Sequence, residues 1–271
     1  MNLNGRTVLV TGAARGLGKQ LALHLANVEG ANLILVDRNL AGLQEVVDEI
    51  GMPRSGGIKT ILKDLLAEDG PRSLYDDLGN EEVFGLVNNA GLTYYGETES
   101  SNLDLFRSII NLDFRVVVEL SLLFLSRFKA KGEGFILNVT SLASFVPIPY
   151  QAVYAAAKGA AQSFSECLYQ ENRGGPVIIS TFAPSGIITD MIEESGLTGH
   201  MHKHRYSYVS PERAATEAVR GLKRRKRLII PGLTNRLIYV FMNLLPRRIL
   251  IALARGIYKY DKYRGSDVRR E

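Results

Sequence analysis

The apolar run Arg6-Thr7-Val8-Leu9-Val10 ends at a threonine, and three glycines, Gly12, Gly16 and Gly18, follow within seven residues. Leu21, Leu25 and Val28 then recur at helical spacing. A short run without polar alternation fits a strand covered on both faces, as in a parallel sheet. The order strand, glycine turn, helix therefore demands an α/β architecture. Gly12 permits the turn, Gly16 lets the backbone approach a pyrophosphate at the helix N-terminus, and Gly18 allows close packing of helix on strand.

The next apolar run, Asn32 to Val36, ends in Asp37, about twenty residues beyond the glycine turn, where an acidic side chain meets ribose hydroxyls. An aspartate at a strand end is otherwise a turn residue, and the glycines favour the binding role. Strand and helix patterns alternate along the chain, with no repeat and no linker. The expectation is a doubly wound parallel sheet of about seven strands flanked by helices, its site at the carboxyl ends of the strands. At 271 residues, 46% of them hydrophobic, the chain can bury one large core. We expect a catalytic domain over residues 1–232 and a basic amphipathic helical extension over 233–271.

Further elements follow in a fixed order. Asp64 ends IKTILKD, Asn88-Asn89-Ala90-Gly91 ends VFGLVN, Asn111 lies in SIINLDF, Ser141 closes FILNVTS, and Tyr154 and Lys158 stand four apart in YAAAK. With the T-G-x-x-x-G-x-G spacing, this set resembles the compact, single-domain members of the short-chain dehydrogenase/reductase family. The resemblance covers nearly all of residues 5–230. It implies a Rossmann-like fold and hydride transfer between a nicotinamide cofactor and a carbonyl or alcohol carbon. Gly12, Ala14, Arg15, Gly16, Leu17, Gly18, Asp37, Arg38, Asp64, Leu65, Asn89, Ala90 and Gly91 would bind the cofactor, with Tyr154 and Lys158 at its nicotinamide end. Pro184, Ile187 and Thr189, in a segment resembling the family's P-G-x-V-x-T, would line the carboxamide, with Ser185 in place of the glycine.

The same resemblance implies a proton relay in which Tyr154 is general acid or base, Lys158 favours its phenolate, Ser141 donates to the substrate oxygen and Asn111 holds a water. Thr140 competes with Ser141, since strand neighbours point to opposite faces. Ala157 stands where members often have serine, and removes a hydroxyl but no proton-transfer group. Asp37 repels a 2′-phosphate and so favours NAD(H), while Arg15 and Arg38 keep NADP(H) open. A redox sensor or scaffold without turnover is the alternative function, which the Ser, Tyr and Lys set disfavours.

Gly186 to Val209 is expected to select the substrate. His200, His202 and His204 within it, without nearby acids or cysteines, read as surface residues rather than metal ligands. Tyr94, Tyr95, Phe145, Ile148, Tyr150 and Met191 are candidate pocket residues that suit a lipophilic substrate. From Leu222 onward the chain carries fourteen Lys or Arg against three Asp or Glu, with two apolar stripes broken at Pro246. Packing on the enzyme and docking on an anionic membrane both fit this tail. Nucleic acid does not, for want of a recognition motif. No run is long enough to span a bilayer. The single Cys167 suggests a reducing compartment and a packing role, and MNLNGRTVLV enters the first strand directly, so no signal peptide is expected. These two features point to the cytoplasm, with the tail open to peripheral docking on the cytoplasmic membrane face; a homodimer or homotetramer, built on helices near 104–130 and 152–172, is what the resemblance implies.

Overall fold

The computed structural model describes residues 1–51, 57–100, 102–187 and 207–258. Seven strands, β1 (Thr7–Thr11), β2 (Asn32–Asp37), β3 (Ile58–Leu62), β4 (Val83–Asn88), β5 (Gly134–Val139), β6 (Val177–Phe182) and β7 (Leu228–Ile229), form one sheet in the order 3-2-1-4-5-6-7. All pairs are parallel. The strand order reverses direction between β1 and β4. Such a switch opens a crevice at the strands' carboxyl ends.

Helices cover both faces, and each strand's side chains alternate between two cores. Val8, Val10, Leu33, Leu35, Phe135 and Leu137 pack toward α1 (Gly16–Asn27), α2 (Leu40–Ile50) and α7 (Pro211–Lys223). Leu9, Ile34, Val36, Leu86 and Ile136 pack toward α3 (Gly70–Asp77), α5 (Val116–Lys131) and α6 (Ala152–Glu171). Double coverage explains why the central strands read as unbroken apolar runs: β4, β5 and β6 are buried at every position. Phe124 and Phe128 are fully buried in the second core. Truncating either to alanine is expected to cost about 3–5 kcal/mol.

α4 (Leu103–Ile110) runs into α5 through one wide π turn, Asn111–Arg115. Wide turns of this kind mark functional sites in many helices. Near the end of the described chain, α8 (Leu233–Leu244) and α9 (Arg247–Ile257) meet at Pro246, whose ring cannot continue the first helix. Cys167 is exposed on α6, which corrects the packing role expected for it. The neighbouring face of α6 spends its contacts on Ser165 and Leu168 instead.

Candidate active site

A cavity of about 280 Å³ opens at the carboxyl edge of the sheet, running from the β1–α1 turn past β2 and β4 to α6. Its first end is shaped by close approach. Gly12 has φ +64°, and a Cβ there would lie 2.8 Å from Ala90 Cα. A Cβ at Gly18 would lie 1.9 Å from the Gly12 carbonyl oxygen, a backbone atom that cannot yield cheaply. No side chain caps α1, so its first amides are left for the cavity that Arg15, Gly16 and Leu17 line. Beside them Asp37 Oδ2 accepts from Ala14 N at 3.1 Å and Oδ1 from Asn39 N at 3.0 Å. These two bonds pin the carboxylate at the cavity wall next to Arg38. Asp64 and Leu65, after β3, complete that wall.

The β4 end is tied to β1 through one threonine. Thr11 Oγ1 accepts from Asn89 N and Ala90 N at 3.0 and 3.1 Å, and Asn89 Nδ2 donates to the carbonyls of Thr11 and Gly12. Below it, Asn88 Nδ2 donates to Asn138 Oδ1 at 2.9 Å, and Asn138 Nδ2 donates to Ser165 Oγ at 2.9 Å. This buried chain joins β4, β5 and α6. Buried polar groups that find partners in this way specify one register.

Ser141, Tyr154 and Lys158 all line the far end of the cavity. Ser141 caps a 3-10 turn, Leu142–Phe145, and its Oγ accepts from Ala143 N at 3.1 Å. That contact leaves the hydroxyl proton free to donate, and Ser141 is near enough to Tyr154 to pull its phenol pKa down. Thr140, which also lines the cavity, spends its hydroxyl on Gln162, its Oγ1 donating to Oε1 at 2.8 Å. Lys158 donates to the Val139 carbonyl at 3.2 Å, with its ammonium 6.0 Å from the Tyr154 ring centre.

One residue here was missed. Asp113, in the π turn, is fully buried and its Oδ1 lies 3.3 Å from Lys158 Nζ. The same oxygen accepts from Leu92 N at 3.1 Å, while Oδ2 is buried without a partner. A Cβ at Gly91 would come within 2.5 Å of Oδ1, so the glycine makes room for the carboxylate. Burial pushes the Asp113 carboxyl up to about 6, against the opposing pull of Lys158 and the Leu92 amide. The sequence signal was an acid in an otherwise apolar helical stretch, two residues past Asn111. Asn111 itself sits at the start of the turn, where its carbonyl accepts from Val116 N; it is absent from the cavity wall.

Burial also raises Tyr154 above the ordinary phenol range, and Asp113 adds to this while Lys158 and Ser141 pull it down. The net direction is upward. Lys158 does favour the phenolate as expected, but loss of solvent outweighs the ammonium.

Pro184 and Ile187 line the cavity, and Ile187 bridges to Val209. Ser185 is accommodated without a positive φ, so the serine does not strain this bend. Thr189, Met191 and the three histidines lie outside the described residues. No cluster of metal-ligating side chains occurs among the described ones.

The substrate end departs from expectation. Tyr94 is buried against Phe106, with ring centres 4.8 Å apart, and Ile148 is buried among Val146, Ala155 and Ala254. Phe145 packs on Tyr239, and Tyr95 meets Tyr150 edge to face. None of these five is among the described residues that line the cavity. The wall itself is made by Leu92, Thr93, Ala143, Gln151, Tyr208 and Tyr258. Tyr258 arrives from the far end of the described chain, and its carbonyl accepts from the Tyr95 hydroxyl at 3.3 Å. Thus α8 and α9 pack on the enzyme itself, through Met242, Leu250, Ala254 and Tyr258 against Val146, Ile148 and Ala155.

The cradle fits a nicotinamide dinucleotide: glycines where a Cβ would collide, an uncapped helix start, and a pinned carboxylate along one cavity. The family model described as short chain dehydrogenase matches residues 6–198. The SadH protein of Mycobacterium tuberculosis is 29% identical over 271 residues, covering 96% of this chain and 98% of its own. The 17-beta-hydroxysteroid dehydrogenase type 3 of Mus musculus is 30% identical over 189 residues, covering 69% of this chain and 62% of its own. The very-long-chain 3-oxoacyl-CoA reductase of Homo sapiens is 30% identical over 191 residues, covering 69% of this chain and 61% of its own. Among solved structures, a short-chain dehydrogenase from Sphingobium yanoikuyae in complex with NADPH superposes with a TM-score of 0.79 at 22% identity, covering 88% of this chain and 92% of that one. Fold, family model and relatives agree, and the chain belongs to the short-chain dehydrogenase family of oxidoreductases.

Proposed function

We propose that this protein interconverts a ketone and a secondary alcohol on a lipophilic substrate, using NAD(H). The observation that carries the reading is the convergence of Ser141, Tyr154 and Lys158 at one end of a cavity whose other end is the glycine cradle and Asp37. Bound nicotinamide supplies the hydride for reduction or takes it in oxidation. The residues of this chain manage the proton and the oxygen. Tyr154 gives its proton to the carbonyl oxygen in reduction and removes it from the alcohol in oxidation. Ser141, oriented by the Ala143 amide, donates to the same oxygen.

Lys158 stands behind the phenol, and the Asp113 carboxylate holds the ammonium in that position. Asn111, at the head of the wide turn, is the proposed holder of a relay water. The phenol is kept in its acid form by burial, the form from which carbonyl reduction starts. Asp37 supports NAD(H) over NADP(H), since a 2′-phosphate would meet its carboxylate.

A lipophilic substrate is supported by the apolar and aromatic wall and by relatives whose names specify a hydroxysteroid and a very-long-chain 3-oxoacyl-CoA. Self-association is supported by Leu103, Leu105, Ile110 and Leu122, exposed apolar side chains on the α4–α5 helix. The test is NADH oxidation with a panel of steroid ketones and 3-oxoacyl thioesters. Turnover lost in Tyr154→Phe is expected. A panel without turnover, or turnover that survives the change, would overturn the reading.

A further inference from the structure

The helices that bring Tyr258 to the cavity leave a large apolar surface exposed. On α8, Leu233, Leu237, Val240, Phe241 and Leu244 are 69, 53, 50, 61 and 73% exposed. On α9, Ile249, Leu253 and Ile257 follow at intervals of four, exposed by 48, 51 and 42%, while Ile251, off that row, is 37% exposed. Nine of the sixteen strongly exposed large apolar side chains among the described residues thus fall within residues 233–257. A patch of this kind marks an interaction surface.

Charge selects the partner. From Leu233 to Tyr258 there are four arginines and no Asp or Glu. Arg236 is engaged with Glu217 and the Ile230 carbonyl. Arg247, Arg248 and Arg255 are exposed and pair with no carboxylate among the described residues. In a twofold dimer through this face, the arginines would oppose their own copies. An anionic lipid surface satisfies both features at once, burying the apolar face and neutralising the guanidinium groups. Neither helix is long and apolar enough to cross a membrane. Their inner faces are already committed to Val146, Ile148 and Ala155, and Tyr258, the residue after α9, lines the cavity.

We propose that the outer face of α8 and α9 docks on an anionic lipid surface and sets the cavity mouth against it. The advantage to catalysis rests on the lipophilic substrate proposed above; the docking itself does not. The test is co-sedimentation of the full chain with vesicles of phosphatidylcholine alone or mixed with phosphatidylglycerol, at low and high salt. Binding to the mixed vesicles only, weakened by salt, is expected. Phe241→Glu and the pair Arg247→Glu with Arg248→Glu should each lower the partition by about tenfold or more. Leu40→Glu, which changes an equally exposed apolar residue on α2, should leave it unchanged.

Failure to sediment, or variants that bind as the parent does, overturns the proposal. So does sedimentation velocity, run without lipid, that shows the same variants dissolving an oligomer while vesicle binding is absent. Turnover of a small soluble ketone separates the two claims: vesicle binding without any turnover would sink the proposed reaction and leave the docking face standing.

Discussion

The two ends of the cavity are built differently. The cofactor end comes from short, consecutive stretches: the β1–α1 turn, the ends of β2 and β3, and the residues after β4. Backbone geometry defines it, through glycines that tolerate no Cβ and carboxylates held by amides. The substrate end gathers side chains from β4–α4, β5–α6, β6–α7 and the residue after α9. One end is specified by motif and resists substitution, while the other is specified by packing and is open to change. The proposed proton-transfer groups, Ser141, Tyr154 and Lys158, sit where they meet.

This contrast gives graded expectations. The largest effect is at the junction: Tyr154→Phe should lower kcat by about two to four orders of magnitude, with cofactor affinity, read by fluorescence titration of NADH, little changed. Equal loss of cofactor affinity would show that the two ends are not separable.

At the cofactor end, Gly18→Ala places a Cβ against the Gly12 carbonyl. It should cost about 1–3 kcal/mol of stability, seen as a lowered thermal midpoint, and weaken NADH binding at the same time. An unaffected midpoint would mean that the turn relaxes freely.

Asp113→Asn should leave the fold intact and change the pH dependence. The Asp113 carboxyl has a folded pKa of about 6, above its ordinary value of 3.8. An acid raised in this way favours the fold while protonated. Its contribution is full below the ordinary value and is lost as pH rises through about 6. The parent's thermal midpoint should therefore fall between about pH 4 and 6 relative to that of Asp113→Asn, and level off above. In kinetics the sign is opposite: below about pH 6 the carboxylate that holds Lys158 is neutralised, and kcat should decline. An acidic limb that persists unchanged in Asp113→Asn would remove Asp113 from the positioning of Lys158.

The smallest effect belongs to the substrate end. Tyr258→Ala should raise KM for a bulky ketone by about tenfold, from loss of apolar contact, while NADH affinity stays level. A matching loss in both would erase the distinction between the ends.

Much of this was legible beforehand because the signals are local. The glycine spacing, the aspartate closing β2 and the Tyr-Lys interval each sit within one strand–turn–helix unit, where the backbone sets relative positions. Unbroken apolar runs reported double coverage, and so the parallel sheet. Pocket residues were harder to read: Tyr94 and Ile148 are aromatic or apolar and near the site in sequence, yet neither lines the cavity. Aromatic character reports burial, and whether burial faces a cavity or a neighbouring helix depends on packing. Cys167 failed for a related reason, since one helix turns every residue type through both environments.

The sequence by itself determined the fold class, the family and the order of the motifs, because chain connectivity and backbone sterics act over short separations. Tertiary structure alone tied the Thr140 hydroxyl to Gln162, set Asp113 beside Lys158, raised the Tyr154 phenol by burial and brought Tyr258 to the cavity. Each of these depends on which elements share a space and how much water is left between them.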